Sequence, residues 1–328
     1  MNGREAGRRI KAVMIGHAVA DALGVPVEFS DREALAACPV TDMRGFGTYP
    51  VPAGAWSDDT SMSLAALDSM AYGRIDFDDI MKKFSAWCYR GDYTPTGVTF
   101  DIGNTCARAI ERYAQGHAAE DCGLAGERDN GNGSLMRIHP FALMAYYGRG
   151  QIEGAEDTDA LIDRASAITH AHERAKLACR IYTVILHALL KRPERESVTA
   201  ALREAAVRYA ASPEIGHYAR LFADDFAALP CERIKSSGYV VDTLEAAVWC
   251  LLTTQSYREC VLKAVNLGED TDTVAAVAGG LAGALYGYRA IPTEWRQTLI
   301  KRTDIENACL RFTATLCPVK WERSPSLR

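Results

Sequence analysis

Residues 274–287, VAAVAGGLAGALYG, are built almost wholly of alanine, glycine and valine. Each glycine lowers helix stability by roughly 1 kcal/mol relative to alanine. The return is that neighbouring helices can approach closely, so this stretch predicts a central, crowded helix around which the rest of the chain must pack. The rest of the sequence agrees, because its apolar residues recur with helical spacing nearly everywhere. Ile10, Val13, Met14, Ala18 and Leu23 share one helix face, closed by Gly24 and Pro26. Similar patterns recur at about 60–72, 77–89, 103–114, 133–147, 158–170, 172–191, 197–210, 214–228, 240–254, 256–266, 272–288, 293–300 and 304–315. The breaks are short (TPTG at 94–97, RDNGNG at 128–133, KRPERES at 191–197), and FGTYPVP at 46–52 is at most an extended loop. With no linker and no fixed-period repeat, the expectation is an all-α fold, a single compact multi-helix domain over residues 1–328.

A formal charge of −5, from 37 basic and 42 acidic side chains, argues against a nucleic-acid binder that relies on a broad basic face. A phosphate-bearing small ligand stays open, because a few backbone amides or a metal ion supply positive field locally. The N-terminus is basic and then apolar, but His17 and Asp21 interrupt the apolar part and no small-residue cleavage pattern follows. No stretch reaches the roughly 18 uncharged apolar residues of a bilayer span, so a soluble, cytoplasmic protein without a membrane partner is expected. The ten cysteines are scattered without a C-x-x-C pair, which points to buried reduced thiols.

Two acidic motifs carry the chemistry. GAWSDDTSM (54–62) places Ser57, Asp58, Asp59 and Thr60 before an apolar helix, and GEDTDTV (268–274) places Asp270, Thr271, Asp272 and Thr273 before the small-residue helix. Either alone reads as a helix N-cap with acids complementing the dipole. A cap needs one oxygen, however, and here each helix start carries two carboxylates flanked by hydroxyls. Like charges at that density call for cations. Hard divalent ions such as Mg²⁺ or Mn²⁺ take oxygen ligands of this kind, and two such arcs could close a two-metal site.

At this level the chain resembles the ADP-ribosylglycohydrolase family, which includes ADP-ribosyl-arginine hydrolases and dinitrogenase reductase-activating glycohydrolases. ADALGVPVEF (20–29) is similar to its G-D-A-L-G…E motif and GAWSDDTSM to its G-x-x-[TS]-D-D-T. FDIGNTCARA matches D-I-G-N-T, and GNGSLMRIHP matches G-N-G-x-x-M-R. SAITHAHERA, SGYVVDTLEAAVWCLLTT and NLGEDTDTVAAVAGGLAGALYG complete the order over almost the whole chain. The resemblance implies two Mg²⁺ or Mn²⁺ ions in a central cleft, held by Ser57, Asp58, Asp59, Asp270, Asp272 and Thr273, with Glu28 beside them. It implies hydrolysis of the bond between C1″ of an ADP-ribose moiety and an acceptor on a protein or small molecule, most often an arginine guanidinium. Glu28, Asp58 and Asp272 are the expected catalytic carboxylates. Ala20 and Ser57 depart from the glycine and threonine usual in the family.

The glycine-rich loop Gly131, Asn132, Gly133 and Ser134 precedes a predicted helix and reads as a turn with a cap or as a diphosphate cradle; the resemblance favours the cradle. The resemblance places Asp101, Gly103 and Asn104 at the cleft mouth, although capping explains one of them; His170 lines the substrate or packs at a helix terminus, and Tyr239 stacks on adenine or packs in the core. His170 and His172 have no third nitrogen or sulfur ligand nearby, which argues against zinc. His17, His117, His139, His187 and His217 read as structural. The rival readings are hydrolysis of a serine-linked ADP-ribose, of O-acetyl-ADP-ribose or of a nucleoside-type glycoside, and a non-catalytic ADP-ribose binder or structural protein. A monomer is expected.

Overall fold

A computed structural model describes residues 3–150, 152, 155 and 157–316. Among them are fourteen α-helices. In chain order these are α1 (Gly3–Gly24), α2 (Arg32–Ala37), α3 (Asp58–Met70), α4 (Phe77–Arg90), α5 (Asn104–Ala114), α6 (His139–Tyr147) and α7 (Thr158–Ala167). They continue as α8 (Glu173–Lys191), α9 (Arg195–Arg208), α10 (Val240–Leu252), α11 (Tyr257–Val265), α12 (Thr271–Tyr286), α13 (Thr293–Thr298) and α14 (Arg302–Leu316). The described residues form no sheet; only isolated bridges occur, Leu124 with His170 and Gly131 with Tyr239. The fold is all-α, as the periodicity predicts.

Three segments differ from expectation. Residues 214–228 are not one helix but short 3-10 turns at Ile215–Tyr218 and Phe226–Ala228. Tyr218, Leu221 and Phe226 are buried and pin an otherwise irregular segment, which mimics helical spacing. The helix expected from residue 133 begins only at His139. Residues 32–37 form the short helix α2, which the sequence reading missed. Helix α1 is long, apolar and enclosed, with Lys11 and Asp21 inside its apolar run. Within Gly3–Val27 lies a window long and apolar enough to cross a membrane by length and composition, and 94% of it is buried inside the protein.

The small-residue helix α12 lies against α1 at nearly the closest approach two helices permit. A methyl group on Gly279 would sit 2.4 Å from Ala20 Cβ and 2.5 Å from the Gly16 carbonyl oxygen. One on Gly283 would sit 2.2 Å from the carbonyl oxygen of Ala12. Gly279 and Gly283 are therefore required by close backbone approach, whereas Gly280 faces the Tyr182 hydroxyl and Gly287 has open space beside it; the helix-propensity loss is offset by burial of the helix. The Ala20 Cβ fills the space beside Gly279 on this seam. Gly279→Ala is expected to destabilise the protein by about 3 kcal/mol, since the obstacles, the Ala20 Cβ and the Gly16 carbonyl oxygen, cannot rotate away. Gly103→Ala, into open space at φ −60°, should stay within about 0.5 kcal/mol of the parent. Urea unfolding of the pair measures the difference.

One continuous apolar cluster runs from Ala6 to Leu316. The nine described cysteines are free, and Cys106, Cys122, Cys179, Cys250, Cys260 and Cys309 are buried; Cys317 lies outside the described residues. The α1–α12 pair matters for function because the C-terminal end of α1 and the N-terminal end of α12 meet. A methyl on Gly24 would lie 2.3 Å from Asp272 Cα, and the Thr271 hydroxyl donates to the Gly24 carbonyl at 2.9 Å.

Candidate active site

Asp21, in the last turns of α1, organises the start of α3. Its carboxylate accepts hydrogen bonds from the Ser57 N–H (2.9 Å) and hydroxyl (3.0 Å) and from the Thr60 N–H (3.1 Å) and hydroxyl (2.6 Å). Ser57 itself accepts from the Asp59 N–H at 3.4 Å. The capping requirement of α3 is thus met by Ser57 and Asp21, and the carboxylates of Asp58 and Asp59 are surplus to it. At α12 the capping reading is weaker still, because Asp270 is the N-cap residue yet its side chain makes no capping bond.

The two acidic motifs meet. The Thr273 hydroxyl donates to Asp59 Oδ2 at 3.1 Å across a sequence separation of 214 residues. Glu28 joins them from the short turn Val25–Val27 that follows α1. Phe29 and Glu269 both adopt left-handed backbone, at φ +63° and +60°. The Phe29 N–H donates to the Glu269 carbonyl (2.6 Å), and the Glu269 N–H donates to the Ser30 carbonyl (2.9 Å). This pair of strained residues fastens the Glu28 loop to the Asp270 loop. Asp101, left-handed at φ +53°, completes the group, and carboxylate oxygens of Glu28, Asp101 and Asp272 lie within 4.8 Å of one another.

The charge balance is severe. Asp21, Asp59 and Asp272 are fully inaccessible, and Asp58 and Glu28 are 5% exposed. Among the described residues no lysine or arginine forms an ion pair with any of them, or with Asp101 or Asp270. Burial, followed by the charges of Asp101 and Asp270, pushes the Glu28 carboxyl up to about 9. Burial pushes Asp21 up to about 6 against the hydrogen bonds it accepts. Burial and neighbouring carboxylates raise Asp58, Asp59 and Asp272 well above the ordinary range. Glu28 Oε2, Asp59 Oδ1, Asp270 Oδ1 and Asp272 Oδ2 are buried with no hydrogen-bond partner. Unpartnered anionic oxygens converging from three chain segments are a donor set for hard divalent cations, and the residues present fit such ions.

The sequence pattern of ADP-ribosylglycohydrolases matches residues 3–321, nearly the whole chain. The chain belongs to the ADP-ribosylglycohydrolase family. An ADP-ribosylarginine hydrolase Tri1 of Serratia proteamaculans is 33% identical over 304 residues, covering 91% of this chain and 77% of that protein. The ADP-ribosyl-[dinitrogen reductase] glycohydrolase of Rhodospirillum rubrum is 32% identical over 309 residues, covering 93% and 95%. A solved ADP-ribosylglycohydrolase-related protein complex contains a chain that superposes with a TM-score of 0.80 at 31% identity, covering 96% of this chain and 100% of that one.

Within this glycohydrolase the remaining expected residues separate into distinct positions. The Asn132 side-chain amide donates to Asp270 Oδ2 (2.9 Å) and to the Thr243 hydroxyl (2.9 Å), so it orients a carboxylate. Its backbone N–H is already donated to the Gly238 carbonyl at 3.0 Å. Ser134 is fully buried, and its hydroxyl accepts from Ser166 (2.9 Å) and lies 3.5 Å from Cys179 Sγ. With no helix start at residue 133, the cradle lacks the helix dipole the sequence reading gave it. Gly131 and Gly133 border His170: a methyl on Gly133 would lie 2.9 Å from its Cε1. Burial and then Arg137 lower His170 to about 3, so the ring is neutral. Its Nδ1 meets the Thr169 hydroxyl at 2.9 Å. His172 caps α8, accepting from the Arg174 N–H at 3.2 Å. Tyr239 is half-buried, pairs with Gly131 as an isolated bridge, and has the Arg174 guanidinium 5.9 Å from its ring centre. Gly103 and Asn104 start α5 on the surface, whereas Asp101, two residues earlier, belongs to the carboxylate group.

The sequence reading missed Asp21 and Tyr49. Asp21 had a signal, an acid inside the apolar run of α1. Tyr49, whose hydroxyl reaches Glu28 and Asp101, stands in the loop dismissed as extended. His17 and His139, read as structural, are buried against one another with ring centres 4.2 Å apart and planes tilted by 40°.

Proposed function

We propose that this protein is a metal-dependent ADP-ribosyl hydrolase that cleaves the N-glycosidic bond between C1″ of ADP-ribose and a protein arginine. The observation that carries the reading is the junction of the two acidic motifs at Thr273 and Asp59, surrounded by unpartnered buried carboxylate oxygens, in a chain one-third identical to an ADP-ribosylarginine hydrolase. Ser57, Asp58, Asp59, Asp270, Asp272 and Thr273 would hold two Mg²⁺ or Mn²⁺ ions. Such ions supply positive charge that neutralises the carboxylates and polarises oxygen groups of the ribose and water. Asp21 and Asn132 hold the liganding side chains in place. With cationic charge beside it Glu28 would be ionised, and it accepts a proton from the attacking water as the C1″–N bond breaks, while the departing guanidine nitrogen takes up a proton. The products are ADP-ribose and unmodified arginine, with one water consumed. Tyr49 orients the Glu28 carboxyl. The diphosphate runs along residues 131–133 beside neutral His170, and Tyr239 stacks on the adenine.

ADP-ribose release from ADP-ribosylated arginine, measured with and without EDTA, tests this. Release that stops with EDTA and returns with Mn²⁺ or Mg²⁺ is expected; metal-independent turnover overturns it. Turnover confined to serine-linked or O-acetyl ADP-ribose would assign a different acceptor to the same cleft.

A further inference from the structure

Two phenylalanines occupy positions that stability alone does not explain. Phe29 is 68% exposed at φ +63° and Phe46 is 73% exposed at φ +57°. Left-handed backbone is costly for a bulky side chain, and an exposed ring gains little from burial. Both flank Glu28. Phe29 follows it directly, and Phe46 is carried on a loop laid flush against the same turn. The Thr48 N–H donates to the Pro26 carbonyl (3.0 Å) and the Thr48 hydroxyl to the Glu28 carbonyl (2.6 Å). Gly47 packs so closely that a methyl there would lie 1.7 Å from the Pro26 oxygen. The inner wall of the same loop is aromatic as well, with Tyr49 and Phe100 ring centres 4.8 Å apart.

We propose that Phe29 and Phe46 form an aromatic lip that receives the acceptor side chain and sets acceptor preference. This rests on the reading of the site as an arginine-linked ADP-ribosyl hydrolase. The group on the acceptor side of the scissile bond is then a flat guanidinium, which stacks on aromatic faces and is drawn to the carboxylates of Glu28 and Asp101. Neither ring is required to hold the ADP-ribose half, so substrate affinity and product affinity separate.

Phe29→Gly and Phe46→Gly provide the test, because glycine removes the ring and relieves the left-handed backbone together. Melting temperatures equal to or above the parent are expected. The affinity for free ADP-ribose should stay within about twofold, while kcat/KM on ADP-ribosylated arginine falls about three- to thirtyfold. Phe46→Tyr should retain most of the activity. Unchanged kcat/KM overturns the lip, as does an equal loss of ADP-ribose affinity, which would assign the rings to the nucleotide. A lowered melting temperature with activity lost in proportion would make them structural. If the parent protein itself fails to release ADP-ribose from arginine, the functional reading fails first, and that result is distinct from an active parent with indifferent variants.

Discussion

The Asp58→Asn/Asp272→Asn double variant is expected to lose activity by about a thousandfold or more while melting at a higher temperature than metal-free parent protein. The activity loss follows from removing one carboxylate charge from each arc of the proposed metal site. The gain in stability follows from the electrostatics of the unliganded fold. Both carboxylates are buried, raised well above the ordinary range, and surrounded by other carboxylates. Asparagine keeps the shape and deletes the charge, so the cost of burying or protonating those groups disappears. A rise of roughly 2 °C or more in thermal denaturation with EDTA is expected. With Mn²⁺ or Mg²⁺ present the order should reverse, because only the parent binds the ions tightly. A variant that retains full turnover, or one that melts below the metal-free parent, contradicts the site as described.

The second large effect is in pH. Asp21 is raised to about 6 and Glu28 to about 9, each above the value near 4 that it has in an unfolded chain. The unfolded state therefore releases protons first as pH rises. The stability these groups contribute is fully present below about pH 4 and is lost progressively through about 6 and then about 9. Metal-free protein should accordingly melt at progressively lower temperature from mildly acidic to mildly alkaline pH. Divalent ions should stabilise most at the alkaline end, where protons no longer compete for the oxygens, by about 2.7 kcal/mol at a hundredfold excess over Kd. Below about pH 5 the added ions should have little effect. Melting temperatures across this range with EDTA or Mn²⁺ measure both arms, and a flat difference between them is the contrary result.

Which parts of this were legible in sequence follows from the range of the interactions. The α12 glycines and the surplus of carboxylates at residues 58, 59, 270 and 272 are local features with a physical cost, and cost is visible in a string of letters. The helices were legible wherever an apolar stripe ran unbroken, and misread at 214–228, where three buried anchors imitate a stripe. That Thr273 touches Asp59 was not readable from spacing, because no local rule joins residues so far apart. Asp101 is the instructive case. Its motif signalled a cleft residue, but only its left-handed backbone turns the carboxylate toward Glu28 and Asp272 instead of capping α5. Asn132 is a different case: its glycine-rich context suggests backbone amides, and its side chain in addition holds Asp270. Tyr49 lay in a loop without periodicity, where pattern reading has nothing to hold.

The latch between Phe29 and Glu269 bears on how the cleft can move. Its two backbone hydrogen bonds join Phe29 and Ser30, the two residues after Glu28, to Glu269, the residue before Asp270. Any backbone shift of the Glu28 loop that preserves them must carry the Asp270 loop with it, so the two loops move as a single jaw. The Glu28 backbone leaves that jaw only after both bonds are given up, and protection of the Phe29 and Glu269 amides against hydrogen exchange would report how often that happens.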